Sequence, residues 1–70
     1  MTEATILTIN GDDRELADVR TVADVLRALQ LDPRAVVVEH NRVIVRRPAL
    51  EETPVRRGDI LEIVHFVGGG

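Results

Sequence analysis

Apolar and polar residues alternate in short runs along most of this chain, a period of two that indicates β-strands buried on one face. Residues 5–9 alternate in this way, and the turn signal Asn10-Gly11-Asp12-Asp13 leads into a second run. Asn41-Arg42 joins two later runs in the same manner. The predicted strands cover residues 5–9, 14–17, 35–40, 43–45 and 60–67. The pattern therefore predicts two hairpins and a separate last strand.

A different period separates the two hairpins. Val22, Val25, Leu26 and Leu29 fall at positions i, i+3, i+4 and i+7, which places them on one stripe of an α-helix. Thr21 precedes this stripe and Asp24 follows three residues later, an approximate capping box for the start of the helix. We expect the helix to end near Gln30 or Leu31, because Pro33 disfavours helical geometry at Asp32.

The order of these elements favours one fold class. A single helix has to cover one face of a mixed sheet, and a connection from hairpin to helix to hairpin suits the β-grasp, or ubiquitin-like, fold of the α+β class. We therefore predict a mixed five-stranded sheet with the helix on one face and the last strand in the centre, beside the first. The predicted domain covers residues 1–67, and residues 68–70 form a flexible glycine tail.

Strand alternation also assigns the two faces of the sheet, with Glu39 and Glu62 marking the open face. The core residues predicted on the other face, in addition to the helix stripe, are Leu7, Ile9, Leu16, Val36, Val38, Leu50, Leu61 and Ile63. Four apolar residues are left on the open face: Ile6, Val37, Val64 and Phe66. We interpret these four as a docking surface for a protein partner. The alternative is that they are the isolated apolar residues that any protein surface carries.

Composition excludes several classes of function. The 70 residues contain no cysteine, which excludes disulfides and thiolate metal sites. The net charge is −3 and Phe66 is the only aromatic residue, so we expect no nucleic acid partner. His40 and His65 lack the spacing of metal ligands, and no metal site is predicted. The chain has neither an apolar stretch of bilayer length nor the features of a secretory signal at its start, so we expect a cytoplasmic location without a membrane partner.

The most unusual chemistry stands after the last predicted strand, where three glycines follow Val67. Glycine has no Cβ and packs nothing, so Gly68, Gly69 and Gly70 should project from the domain as a thin arm about 10 Å long. Such an arm can thread a carboxylate into a narrow active site of another protein, where enforced proximity replaces side-chain recognition. The chemistry would then take place on Gly70, with Gly68 and Gly69 threading. The alternative is a frayed terminus without a function.

The last strand and its glycines, together with the run Val36-Val37-Val38-Glu39-His40-Asn41, resemble the thiamine-biosynthesis sulfur carrier family. The ending Glu62-Ile63-Val64-His65-Phe66-Val67-Gly68-Gly69-Gly70 is similar to that family in particular, while a diglycine end is common to all ubiquitin-like carriers and modifiers. Two positions depart from the family. Arg42 replaces a glycine after the turn asparagine, and Leu50 stands where a larger residue is frequent. These changes affect a turn and a packing site rather than the tail.

The resemblance implies a cycle performed on Gly70 by partner enzymes. An adenylating enzyme related to ubiquitin-activating enzymes would activate the terminal carboxylate with ATP and magnesium, and sulfur from a cysteine desulfurase persulfide would displace AMP. The resulting C-terminal thiocarboxylate would deliver sulfur to thiazole synthase. The chain itself would hold no cofactor and catalyse nothing, acting as a monomeric protein co-substrate.

Three other interpretations stay open at this point. A related carrier could deliver sulfur to molybdopterin, to cysteine or to a natural-product pathway. A ubiquitin-like modifier would instead be conjugated to lysines of target proteins. A plain interaction module would carry an inert tail.

Overall fold

The computed structural model of this chain describes residues 3–66, which form five strands and one α-helix. The elements are β1 (Ala4–Ile9), β2 (Asp12–Ala17), α1 (Val22–Ala28), β3 (Val36–His40), β4 (Val43–Val45) and β5 (Ile60–His65). Two short 3₁₀ turns, Pro33–Ala35 and Arg47–Ala49, fill the connections. All five predicted strands are confirmed. The last one ends at His65, so the predicted extension through Phe66 is wrong, and Val67 lies outside the described residues.

The strands form one sheet in the order β2-β1-β5-β3-β4. β5 runs parallel to β1 and antiparallel to β3, while each hairpin pairs in the antiparallel sense. The strand at the centre of the sheet is therefore the last one in sequence, as predicted. With α1 on one face, this is the β-grasp fold.

Both hairpins turn on only two residues. Asn10 and Gly11 join β1 to β2 with φ angles of 51° and 87°, and Asn41 and Arg42 join β3 to β4 with φ angles of 49° and 73°. Two consecutive residues with positive φ are typical of type I′ turns, whose twist matches that of the flanking strands. Because this turn is so tight, β2 begins at Asp12 rather than at the predicted Arg14.

The helix begins as predicted and ends earlier than predicted. Thr21 and Asp24 form a complete capping box, which confirms the predicted start. The last helical residue is Ala28, and Gln30 adopts a φ of 59°. The Gln30 N–H donates to the Arg27 carbonyl at 3.0 Å and the Leu31 N–H to the Leu26 carbonyl at 2.9 Å, which together make a Schellman motif. The helix therefore ends at Ala28, two or three residues before the predicted end at Gln30 or Leu31.

The core lies between α1 and the sheet. Most of the predicted core residues are buried, but Leu16 and Leu29 are only half-buried, since β2 is an edge strand and Leu29 is the C-cap of the helix. The buried apolar residues are Leu7, Ile9, Val19, Val22, Ala23, Val25, Leu26, Val36, Val38, Leu50, Val55, Leu61 and Ile63. Val19, Ala23 and Val55 were not predicted because they lie outside the strand and helix periods.

The segment between β4 and β5 fastens the start of α1. The Val22 N–H donates to the Thr53 carbonyl, and the Ala23 N–H donates to the Leu50 carbonyl. The Val55 N–H donates in turn to the Arg20 carbonyl. The bonds from Val22 and Ala23 satisfy donors that the first turn of a helix cannot satisfy internally, so the irregular segment acts as a structural part of the helix terminus.

Candidate functional site at the root of the tail

The predicted site residues divide into two groups. Gly68, Gly69 and Gly70 lie outside the described residues, together with Val67. Their predicted roles in threading and activation stay predictions. The structure describes the segment that leads to them, and we call Val64 to Phe66, the end of that segment, the tail root. The geometry of the tail root determines from which point, and beside which surface, the glycines leave the domain.

The tail root is paired on one side by β3. Val36 lies opposite His65 and Val37 opposite Val64, and the Phe66 N–H donates to the Ala35 carbonyl at 2.9 Å. The ladder to β3 therefore continues past the last residue of β5. This pairing holds the chain in an extended conformation up to the last described residue.

The other side of β5 loses its backbone partner earlier, because β1 ends at Ile9. The side chain of Asn10 takes over at this point. The Ile63 N–H donates to Asn10 Oδ1 at 2.7 Å, and Asn10 Nδ2 donates to the Ile63 carbonyl at 3.0 Å. We call these two hydrogen bonds the Asn10 clamp. The amide of one side chain thus supplies a donor and an acceptor to Ile63 in place of the backbone groups of a longer β1.

Three of the four predicted docking residues come together beside the tail root. Val37 and Val64 are direct cross-strand partners, and Phe66 follows two residues after Val64. Val64 and Phe66 are 62% and 63% exposed, whereas Val37 is half-buried. We call Val37, Val64 and Phe66 the near patch. A shallow groove of about 220 Å³ adjoins it, and its lining includes Val37, Phe66 and Ile44 as well as the side chains of Arg34, Arg46 and Arg47.

Ile6, the fourth predicted docking residue, lies at the other end of the open face. Its carbonyl accepts from the Gly58 N–H, which places Ile6 beside the residues that precede β5. Six residues of extended chain separate that level from Val64, or about 20 Å at ~3.3 Å per residue. Ile6 is therefore not part of the near patch.

Two acidic side chains occupy the open face between these ends. Glu39 and Glu62 are direct partners in the β3–β5 ladder, and Ile44 lies opposite Glu39 in the neighbouring hairpin. Ile44 and Ile60 are 57% and 52% exposed, and sequence reasoning did not select either of them. The register of the second hairpin would have placed Ile44 beside Glu39, but the uninterrupted run Val43-Ile44-Val45 conceals the alternation.

A part-buried hydrogen bond between the side chains of His40 and Asp59 fixes the other end of β5. Nε2 of His40 and Oδ2 of Asp59 are 2.7 Å apart, and the same Asp59 oxygen accepts from the Arg56 N–H at 2.8 Å. Burial raises the pKa of Asp59, but the hydrogen bonds from His40 and Arg56 outweigh it and hold that pKa below its usual range. The side chain of His40 therefore joins the end of β3 to the loop before β5.

Within residues 3–66, no three histidine, aspartate or glutamate side chains come together as the ligands of a metal ion. In that same range, no helix combines the length and the apolar character that crossing a membrane requires.

Comparison with known proteins gives consistent results. The model of the ThiS family matches residues 7–70. The chain is similar to the sulfur carrier protein ThiS of Bacillus subtilis, with 39% identity over 66 residues that cover 93% of this chain and 100% of the relative. It also resembles the crystal structure of the thiamine biosynthesis protein ThiS from Geobacter metallireducens, with a TM-score of 0.78 and 33% identity over 94% of this chain and 100% of that one. A thiazole synthase of Paramagnetospirillum magneticum is 44% identical over 64 residues, which are 91% of this chain but 20% of the synthase.

Proposed function

The chain belongs to the ThiS family, and from this we propose that it is a sulfur carrier of thiamine biosynthesis that bears its sulfur on the C-terminal carboxyl group of Gly70. The observation that carries the proposal is the extent of the family match, which runs through residue 70. The three glycines are therefore part of the pattern that this chain shares with the family. A strand held in the middle of a sheet leads directly to them.

The chemistry follows from the weakness of a carboxylate as an acceptor. A partner enzyme would transfer AMP from ATP, with magnesium, to the Gly70 carboxylate and release pyrophosphate. The terminal sulfur of a persulfide supplied by a cysteine desulfurase would attack this mixed anhydride and expel AMP. Cleavage of the acyl disulfide by a thiol would leave the thiocarboxylate. Every catalytic group in these steps belongs to a partner, so this chain acts as a co-substrate and not as an enzyme.

The geometry at the tail root supports docking of such a partner. The near patch presents two largely exposed apolar side chains at the point where the tail begins. A partner that covers Val64 and Phe66 would receive the glycines within the same contact surface. Because those residues carry no side chains, they can enter a narrow channel at little steric cost.

Thiazole synthase is the proposed recipient of the sulfur. In the synthase of Paramagnetospirillum magneticum, a segment that resembles this chain makes up a fifth of the polypeptide. Joining two modules in one chain raises the effective concentration of each for the other. That arrangement supports a direct transfer between a carrier of this kind and a thiazole synthase.

The test is a mass measurement on the isolated chain after incubation with its adenylating enzyme, ATP, magnesium and a persulfide donor. The wild-type chain should gain the mass difference of one sulfur for one oxygen, confined to the peptide that contains Gly70. Gly69→Val should not, because a branched Cβ restricts the backbone where the tail threads, and a displacement of about 1 Å can slow a reaction on the order of a hundredfold. Efficient thiocarboxylation of Gly69→Val would contradict the proposal.

Two controls separate the alternatives. The free energy of unfolding of Gly69→Val should stay within about 0.5 kcal/mol of wild type, which separates a defect of the tail from one of folding. A chain that is thiocarboxylated but does not support thiazole formation would instead be a carrier for another pathway, such as those of molybdopterin, cysteine or a natural product. High-mass conjugates in cell extract, without thiocarboxylate, would identify a ubiquitin-like modifier.

A further inference from the structure

We propose that Asn10 is a positioning residue for the sulfur-carrying tail: the Asn10 clamp on Ile63 sets the direction in which the chain leaves the domain. The inference rests on the proposed function, since it concerns the delivery of Gly70 to a partner's active site. The proposal assigns a role to Asn10, which lies near the start of the chain, 53 positions before the Ile63 backbone to which it is hydrogen-bonded.

Asn10 continues the hydrogen bonding along β5 beyond the end of β1. Its backbone N–H donates to the Leu61 carbonyl at 2.9 Å, which continues the parallel ladder of β1 and β5. Its side chain then accepts from the Ile63 N–H at 2.7 Å and donates to the Ile63 carbonyl at 3.0 Å. Both polar atoms of the side-chain amide are used. The turn itself permits this, because a φ of 51° folds the chain back while the side chain stays beside β5.

The Asn10 clamp lies where β5 changes from hydrogen bonding on both sides to hydrogen bonding on one side. The peptide groups of β5 alternate in direction, so that those of Leu61 and Ile63 bond towards β1 while the Phe66 N–H bonds towards β3. Beyond Ile63, the described pairing is to β3 alone, through His65 opposite Val36 and Phe66 against Ala35. A strand end held along one side can pivot about that side, whereas one held on both sides cannot. The Asn10 clamp therefore moves the last two-sided contact to within three residues of Phe66.

The second hairpin contains a matched position. Asn41 also opens a two-residue turn, with a φ of 49°, and its Oδ1 accepts from the Ile60 N–H at 2.9 Å. The two turn asparagines thus bind the same strand at opposite ends. Only Asn10 acts at the end that leads to the tail, so the two side chains should differ in their effect on transfer even though both bind β5.

The experiment compares Asn10→Gly with Asn41→Gly. Glycine adopts positive φ readily, so each variant keeps its turn and loses only the side-chain bonds. The amide of Ile63 should exchange about tenfold faster in Asn10→Gly than in wild type, as expected for loss of the hydrogen bond that its N–H donates to Asn10 Oδ1. In the same variant, residual dipolar couplings of the amides at 64–66 should report a changed or broadened orientation. Asn41→Gly should leave both measurements at Ile63 and at the tail root unchanged.

Kinetics with the chain as substrate of its adenylating enzyme distinguish positioning from folding. Asn10→Gly should lower kcat about tenfold at unchanged KM, because the near patch still docks while Gly70 is presented in a wrong direction. A partly unfolded variant would do the opposite, raising the apparent KM through its lower folded concentration and leaving kcat unchanged. Asn10→Asp, which keeps the acceptor for the Ile63 N–H and removes the donor, serves as a second variant with a smaller expected loss.

The outcomes separate the two proposals. A kcat for Asn10→Gly within twofold of wild type, or equal losses in Asn10→Gly and Asn41→Gly, would overturn the role of Asn10. Failure of the wild-type chain to acquire sulfur would instead overturn the proposed function. In that case the dipolar couplings still decide whether the clamp directs the chain at the tail root, and an unchanged orientation in Asn10→Gly would refute it.

Discussion

At the scale of single residues, the two type I′ turns have the same backbone conformation but different residues at their second position. Asn10, Gly11 and Asn41 belong to the residue types that tolerate a positive φ. Arg42 does not, yet it adopts a φ of 73° in the position that glycine occupies in the first turn. The left-handed conformation costs an ordinary residue about 1 kcal/mol or more. Arg42 is exposed, so its side chain regains little of this by packing.

Replacing Arg42 by glycine should therefore stabilise the protein. We expect Arg42→Gly to raise the free energy of unfolding in urea by about 0.5–1 kcal/mol, because it removes the strain of the positive φ. The higher chain entropy that glycine gives the unfolded state offsets part of this gain. Gly11→Ala is the matched control in the other hairpin. A Cβ at Gly11 would meet no atom within 4 Å, so its expected destabilisation of about 1 kcal/mol would come from φ alone. Loss of stability in Arg42→Gly would show that its side chain makes a contribution that outweighs the strain.

Residue-level prediction from sequence succeeded where a period was visible. Alternation placed Val36 and Val38 on the core face and Val37 on the open face, and the structure agrees. It could not find the Asn10 clamp, because the turn signal explains an asparagine at that position without any long-range contact. A side chain that binds a backbone 53 residues away leaves no local pattern.

At the scale of elements, the helix is short enough for its termini to decide its stability. Its seven residues fall below the length at which a helix is stable by itself in water. Asp24 Oδ2 accepts from the Arg20 N–H at 2.8 Å and from the Thr21 N–H at 3.1 Å, while its Oδ1 accepts from Arg27 at 2.6 Å. The bond to Arg27, followed by that to the Arg20 N–H, lowers the pKa of Asp24 to about 2.

This pKa predicts how the contribution of the cap depends on pH. Asp24→Ala should lower the free energy of unfolding by about 1 kcal/mol at neutral pH. Because the pKa of Asp24 is lower in the folded than in the unfolded state, its stabilising charge is fully effective above pH ~4 and is lost as the pH falls towards about 2. Urea unfolding between pH 7 and pH 2.5 should therefore show the difference between Asp24→Ala and wild type shrinking with acidity.

Thr21→Ala supplies the control for that experiment. It removes the hydroxyl that accepts from the Asp24 N–H at 3.2 Å, and a hydroxyl does not titrate in this range. Its destabilisation of about 1 kcal/mol should therefore depend much less on pH. If the two variants showed the same pH dependence, the charge of Asp24 would not be the source of the effect.

The two ends of the helix also show where element boundaries are predictable. Thr21 and Asp24 form a recognisable capping pair, and the start followed from it. The Schellman motif at the other end is built from backbone bonds around Gln30, a residue type that does not usually mark a helix C-terminus. Pro33 was the visible signal, and the end that it predicted lies two or three residues beyond Ala28.

At the scale of the whole molecule, the open face of the sheet is divided into regions of different chemistry. The near patch lies at the tail end, the glutamate pair lies in the middle, and Ile6 and Ile60 lie towards the far end. A partner that binds the near patch alone would not contact the far end. A partner that covers the whole face would contact both, and would also have to neutralise Glu39 and Glu62.

Substitution by glutamate tests which surface is used. Phe66→Glu should weaken binding of the adenylating enzyme by about 2 kcal/mol, or roughly thirtyfold, in calorimetric titration. Ile60→Glu, a change at a similarly exposed residue at the start of β5, should alter binding little if the contact is confined to the tail end. Equal losses in both variants would indicate that the partner covers the whole face.

The core side of the same strand provides the structural control. Ile63 is buried, and Ile63→Glu should unfold the domain by placing an unpaired charge in the core. Phe66→Glu and Ile60→Glu should each keep the free energy of unfolding within about 0.5 kcal/mol of wild type. If Phe66→Glu unfolded the protein instead, the assignment of faces near the tail would be wrong.

The overall topology was predictable because few arrangements place two hairpins and one helix around a single central strand. The central position of the last strand, beside the first, followed from that restriction and is confirmed. The arrangement of residues on the open face was harder to predict from the sequence. Alternation shows which face of the sheet a residue lies on, but not how far apart residues of two different strands lie. Ile6 was grouped with Val64 for this reason.

The central position of β5 has a consequence for the life of the molecule during synthesis. β1 and β3 each pair with β5 and not with each other. The two hairpins therefore cannot join into one sheet until residues 60–65 have been synthesised. A nascent chain that is interrupted before Ile60 can form its hairpins but leaves the apolar faces of Leu7 and Val38 uncovered. We expect proteases to degrade such a fragment, because it cannot complete the sheet. Because Val64 lies in β5 itself, we expect only molecules that contain this strand to bind a partner through the near patch.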